Sequence, residues 1–291
     1  MRVVAVANQK GGVAKTTTCA AVAASLAQDG RRVVTIDLDP QANLGLGLGL
    51  DEAELDAAGP SAYEVLTGRT PLALAARPAR GAGLERLSVV TAGPRLAQAE
   101  GELFGQIGFD EALKRKLRAA AATWDVAVID CPPSLGPLTI NALSAADLVL
   151  VPVQCEFFSA RGVVKLLDVV ELVRERRNPD LAIRLVPTLF DQRNGICRAV
   201  LEQLRAELGA DVSEVIVGVD TKVREAQARG RPVTTDAPGS RAARAYRDLA
   251  REVWSILSAR AAPPAPGSTG ADEGEASGGQ AGGGDRVQQA A

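Results

Sequence analysis

Short apolar runs recur along this chain, most of them closing on a polar or acidic residue, and stretches with helical spacing separate them. Residues 3–7, 32–36, 87–91, 126–130, 145–153 and 181–189 are apolar enough to be strands buried on both faces, and 212–217 predicts a shorter one. Helical spacing covers about 16–29, where Gly30 supplies the stop, and 109–124, with Leu113, Leu117 and Ala121 on one face. It returns over 162–176, with Val163, Leu166, Leu167, Val170 and Val173 inward, and over 198–208. The last such stretch, 240–259, has Ser240 as N-cap and an apolar line through Ala243, Tyr246, Leu249 and Val253. Residues 44–83 break the pattern with Gly-Leu repeats, a short helix at 61–68 and a Pro/Ala/Arg-rich connection, and read as a surface excursion. Strands alternating with helices predict an α/β fold: a doubly wound, mainly parallel sheet with helices on both faces, in a single domain over 1–260. Residues 261–291 are Ala, Gly, Pro and Ser with a few acids, so they bury too little to offset ordering entropy and are expected to form a disordered tail.

Composition narrows the chemistry more than the fold. The formal net charge is −2, so any nucleic-acid surface must be a local patch. The sequence contains no histidine, which removes Ser-His-Asp and Cys-His catalysis and any histidine metal ligand. Cys19, Cys131, Cys155 and Cys197 stand apart, without C-x-x-C spacing, each beside apolar residues; they read as buried thiols of a reducing cytosol. No apolar run approaches the ~20 residues that cross a bilayer, and the expected location is cytoplasmic.

Between the first strand and the first helix lies Asn8-Gln9-Lys10-Gly11-Gly12-Val13-Ala14-Lys15-Thr16-Thr17-Thr18. A strand, a glycine loop and a helix start together make a phosphate cradle: backbone N–H groups converge on oxygens, Lys15 reaches the terminal phosphates, and the Thr16 hydroxyl can ligate Mg²⁺. Relative to G-x-x-x-x-G-K-[ST], both framing glycines are replaced, by Gln9 and Ala14. The run 33–36 ends in Asp37-Leu38-Asp39-Pro40-Gln41, and the run from 126 ends in Asp130-Cys131-Pro132-Pro133-Ser134. Carboxylates at the carboxyl ends of parallel strands beside such a loop are placed for Mg²⁺ and water, Asp130 in the Walker B manner.

Lys10-Gly11-Gly12-Val13-Ala14-Lys15-Thr16-Thr17 resembles the deviant Walker A motif of the ParA and MinD group of ATPases, marked by an additional lysine, here Lys10. The resemblance extends over roughly residues 2–258 and includes Asp37-Leu38-Asp39-Pro40-Gln41, the Asp130 segment and Pro152-Val153-Gln154-Cys155-Glu156. It implies ATP and Mg²⁺ as cofactors, bound by Lys10, Gly11, Gly12, Val13, Ala14, Lys15, Thr16, Thr17 and Asp130, with Thr16, Asp39 and Asp130 toward the metal. It further implies Lys10 and Lys15 as catalytic cations, Asp39 as the residue that orients the attacking water, and a homodimer in which Lys10 contacts the partner's nucleotide. The 130–136 segment would sense the γ-phosphate, and adenine would lie near 187–191 and 218–220.

Within that group the local features favour a ParA-type partitioning ATPase, nucleoid-associated, acting on chromosome or plasmid with a ParB-type centromere-binding partner. The alternative is a MinD-like or cargo-positioning ATPase using the same switch without DNA; a metabolic or metal-carrier ATPase on the same fold is a third reading. MinD-type proteins end in an amphipathic helix that binds lipid, whereas here the end is Gly/Ala-rich with Asp272, Glu273 and Glu275, so no membrane is expected. Over residues 215–260 there are nine Lys or Arg against five Asp or Glu. Lys222, Arg224, Arg229 and Arg231 are the expected contacts to non-specific double-stranded DNA, through phosphates. Two departures from the family stand out. Ala14 occupies a position where glycine is common, and an alanine forced to positive φ there costs roughly 1–2 kcal/mol. Val219-Asp220-Thr221-Lys222 replaces an Arg-Asn-Val-Arg motif, with one arginine fewer.

Overall fold

A computed structural model describes residues 1–260 other than 57, 58, 94, 106, 107, 157 and 158; the expected tail, 261–291, lies outside the described residues. The strands are β1 (Arg2–Val6), β2 (Val33–Asp37), β3 (Arg77–Pro78), β4 (Leu87–Val90), β5 (Val126–Asp130), β6 (Leu148–Gln154) and β7 (Ala182–Thr188). The helices of the first half are α1 (Lys15–Gln28), α2 (Asn43–Gly47), α3 (Glu52–Asp56), α4 (Ala62–Leu66), α5 (Leu72–Ala75), α6 (Leu96–Phe104) and α7 (Ala112–Ala119). Those of the second half are α8 (Pro137–Ala145), α9 (Ser159–Arg176), α10 (Gly195–Leu208), α11 (Thr221–Ala228), α12 (Val233–Asp236) and α13 (Arg241–Ala259).

The strands form one seven-stranded sheet in the order β3-β4-β2-β5-β1-β6-β7, parallel except where the short β3 runs antiparallel along β4. Side chains alternate across it as the strand period requires. Val3, Ala5, Ile36, Ile129 and Val149 face one layer, with α4 and α6–α10, while Val4, Val6, Val128 and Leu150 face α1, α2, α12 and α13. Both layers are close to dry, which is why these strands read as continuous rather than alternating apolar runs.

The register positions the site. Val6 pairs with Asp130, and Asp130 pairs in turn with Asp37, so three strand ends lie in one row across the sheet. The loops that leave β1, β2 and β5 therefore emerge side by side, at the crevice where β1 sends its chain to β2 on one side and β5 sends its chain over β1 to β6 on the other.

Three expectations need correction. Residues 44–83 are not a surface excursion: Leu44, Leu48, Tyr63, Val65, Leu66 and Leu72 are buried, because α2, α4 and α5 close over the sheet. The helix expected at 109–124 begins as a single 3₁₀ turn and its α-helical part stops at Ala119, so Ala120 rather than Ala121 turns inward. Residues 212–217 do not form a strand; among the described residues only isolated bridges, Leu185 to Val212 and Phe190 to Gly218, extend the sheet beyond β7. The helix over Pro137–Ala145 was hidden in sequence because it is apolar on nearly all sides and so shows no period.

Candidate functional site

The loop after β1 is braced from β6 and β7 and by one contact of its own. The buried Asn8 donates from its amide to the Pro152 carbonyl of β6 at 2.7 Å and accepts the Lys10 N–H at 3.0 Å. Farther along, the buried Thr188 hydroxyl at the end of β7 donates to the Val13 carbonyl at 3.0 Å. Gly12 and Ala14 both adopt positive φ, +75° and +69°. At Gly12 the absent side chain makes this free of strain, whereas the Ala14 methyl carries the penalty of a left-handed backbone. The loop accepts that strain at the residue that starts α1, where the first helical N–H groups stand unsatisfied for an anion.

Lys15, the first residue of α1, is buried with its ammonium 3.1 Å from the Lys10 carbonyl. Burial lowers its pKa, opposed by the negative charge of Asp130 and then Asp39. Asp130 is fully buried at the end of β5, and among the described residues neither of its carboxylate oxygens has a hydrogen-bond partner of good geometry. Burial pushes its pKa up to about 7, Thr16 and Lys15 pull it down, and Asp39 pushes it up. An orphaned buried carboxylate beside a hydroxyl and an ammonium fits a divalent cation held with phosphate oxygens and water, the arrangement Mg²⁺ prefers. Among the described residues no group of three or more His, Cys, Asp or Glu side chains could hold a metal alone.

The aspartate that ends β2 and the one that follows it divide their work. Asp37 is fully buried and accepts the N–H groups of Asp39 at 3.0 Å and Leu44 at 3.1 Å, folding the acidic loop back onto itself. Asp39 is only half-buried and accepts the Gln41 N–H at 3.0 Å, leaving lone pairs toward the crevice. The structure thus brings Lys10, Gly11, Gly12, Val13, Ala14, Lys15, Thr16, Thr17, Asp39 and Asp130 to one crevice.

Three further residues serve the site in roles the sequence does not assign them. Glu156, at the end of the 152–156 segment, pairs with Lys10 at 2.8 Å, Asn8 within the loop braces it against β6, and Thr188, in the segment expected near adenine, holds the Val13 carbonyl instead.

The basic cluster sits on α11 and the turn after it. Lys222 is paired with Glu225 at 2.8 Å, and Arg229 with Asp236 at 2.6 Å and Glu225 at 3.5 Å. Arg224 and Arg231 are exposed and without an ion pair among the described residues. On α13, Arg244 and Arg247 are spent on the carbonyls of Gly239 and Pro238, and Arg251 pairs with Asp248.

Residues 1–183 match the AAA domain family. The chain is 40% identical over 253 residues to the chromosome partitioning protein ParA of Myxococcus xanthus, spanning 87% of both. It is 38% identical to the sporulation initiation inhibitor protein Soj of Bacillus subtilis, spanning 87% of this chain and 98% of that one. A crystal structure described as cobyrinic acid a,c-diamide synthase from Mycobacterium smegmatis, with bound ADP and magnesium, superposes with a TM-score of 0.76 at 38% identity over 89% of this chain and 96% of that one.

Proposed function

The chain belongs to the ParA/Soj family of partitioning ATPases, and from that premise we propose that residues 1–260 act as one Mg²⁺-dependent ATPase domain whose ATP-bound dimer binds DNA without regard to sequence and drives chromosome or plasmid partitioning. The observation that carries the reading is the convergence of Lys15, Thr16 and the unpartnered Asp130 on one crevice, with Asp39 at its edge.

In this reading the N–H groups of residues 11–16 and the Lys15 ammonium hold the β and γ phosphate oxygens, and Thr16 and Asp130 face the cation, which neutralises charge that develops on those oxygens. Asp39 would accept a hydrogen bond from the attacking water and so orient it for hydrolysis. Lys10 adds positive charge from the partner subunit across a two-fold axis, so hydrolysis and dimerisation share a residue. Turnover is slow until a ParB-type partner completes the alignment. The DNA surface comprises Lys222, Arg224, Arg229 and Arg231, doubled in number when two subunits join.

A gel-shift with mixed-sequence duplex, with and without Mg²⁺ and ATP, tests the reading. Retardation that requires ATP and falls with salt supports it; no retardation of any DNA at low salt sinks it in favour of a cargo-positioning ATPase. The diamide synthase description of one relative names an enzymatic alternative. Cobyrinic acid and an amide donor that raise ATP turnover would favour that alternative.

A further inference from the structure

One polar contact crosses 210 residues of sequence and joins the two functional regions: the Gln227 side-chain amide donates to the Thr17 hydroxyl oxygen at 2.8 Å. Thr17 is the third residue of the Lys15-Thr16-Thr17 helix start, and Gln227 lies in the last turn of α11, one turn beyond Arg224. We propose that Gln227 is a positioning residue for the nucleotide site and the link through which that site is coupled to the basic surface; the coupling half of this rests on the DNA-binding reading above.

The chemistry follows from the inventory of a hydroxyl, which has one proton to give and lone pairs to accept with. With the Gln227 amide held against its oxygen, Thr17 directs its own proton elsewhere, and the cradle at the start of α1 is where phosphate acceptors arrive. A hydroxyl that accepts one hydrogen bond becomes a stronger donor in the next. Gln227 thereby fixes the Thr17 rotamer and strengthens its bond to phosphate without touching the nucleotide.

The same residue is mechanically committed on the basic side. Its carbonyl accepts the Gly230 N–H at 2.9 Å, closing the turn that carries Arg229 and Arg231. Gly230 has φ +65°, and a Cβ there would lie 2.8 Å from the Leu46 carbonyl, so the basic turn is pressed against α2, the helix that follows Asp39. Asp220 ties α11 to α13 by accepting both the Lys222 N–H at 3.0 Å and the Ala242 N–H at 3.1 Å. The unit bearing the cations thus rests on the two segments that surround the phosphates, touching α1 at Thr17 and α2 at Leu46. Any adjustment of Thr17 on binding phosphate reaches α11 through one hydrogen bond.

The test uses the full chain and four variants: Gln227→Met, of similar size but without the amide; Gln227→Glu, which can only accept from Thr17 when ionised; Thr17→Val; and Thr17→Val with Gln227→Met. Equilibrium dialysis with Mg²⁺ and ATP should show Gln227→Met three- to tenfold weaker than wild type, roughly the worth of one neutral hydrogen bond. Gln227→Glu should be weaker still, because it turns the Thr17 proton away from phosphate and adds a negative charge beside it. In the Thr17→Val background the methionine should have no further effect on ATP affinity. On mixed-sequence DNA, Gln227→Met should bind as wild type without nucleotide, since no charge changes, and gain at least twofold less affinity when ATP is added. Wild-type ATP affinity in Gln227→Met, or a loss that persists in the Thr17→Val background, overturns the positioning role. A wild-type gain on DNA overturns the coupling. If wild type itself gains no DNA affinity with ATP, the partitioning reading and the coupling fall together, while the dialysis series still decides the role at Thr17.

Discussion

The Lys10 ammonium lies 2.8 Å from one oxygen of Glu156, whose other oxygen accepts from the Gln154 amide at 2.7 Å. The residue expected to act across a subunit interface is therefore held by its own subunit. Both side chains are partly exposed, 34% and 51%, which limits such a pair to about 1 kcal/mol at most. In the proposed dimer a partner's phosphates, carrying more charge at a drier surface, would outcompete it.

Glu156→Gln should therefore lower the ATP concentration that half-saturates dimer formation by roughly two- to fivefold, the factor equivalent to a surface ion pair. Light scattering against ATP concentration measures it. An unchanged midpoint would mean that Glu156 travels with Lys10 into the dimer.

Ala14 is the strained residue of the loop, at φ +69° and ψ +33°. Glycine at that position should raise stability by about 1 kcal/mol, the relief of a left-handed backbone less the extra freedom glycine gains when unfolded. Thermal unfolding of Ala14→Gly checks it, and a lower midpoint would show that the alanine methyl packs favourably enough to repay its strain.

Lys15→Ala should abolish detectable ATP binding by equilibrium dialysis, whereas Asp39→Ala should spare binding, slow hydrolysis and lengthen the life of ATP-dependent dimers. The contrast follows from position. Lys15 is buried beside Asp130, and its loss leaves that carboxylate unbalanced under the phosphates, while Asp39 stands half-exposed at the rim. Dimers that form equally well without nucleotide would contradict it.

Most of the crevice was legible because its parts are local. A strand, a glycine loop and a helix start are contiguous in sequence, and Asp130 ends an apolar run, so residue order alone places them at the carboxyl ends of parallel strands. What could not be read is what depends on register and on contacts distant in sequence. Asp37 and Asp39 look alike in a string, yet the pairing of Asp37 with Asp130 turns the former inward to hold backbone while the latter stays at the crevice. Thr188 meets Val13 across 175 positions, and no local pattern marks such a partner. Residues 44–83 carry no visible helical period because α2, α4 and α5 are too short to show one, although Leu44, Tyr63, Leu66 and Leu72 on them are buried.

The four cations that sequence alone treats as equal differ in how they are tied. Lys222 and Arg229 already hold Glu225 and Asp236, so reaching a DNA phosphate requires breaking an ion pair, and the carboxylates left behind repel the same backbone. Arg224 and Arg231 are exposed and carry no such tie among the described residues. Replacing either by Ala should lower the slope of log affinity against log salt by about one per subunit, uniformly across DNA sequences, without altering dimerisation or ATP affinity. Lys222→Ala should have a smaller effect, since it frees Glu225 for Arg229 and removes a cation already half neutralised. Arg224→Glu should weaken binding most, because it subtracts two charges from the face that faces phosphate. Equal losses for Lys222→Ala and Arg224→Ala would mean that the ion pairs open on DNA and that all four cations count alike.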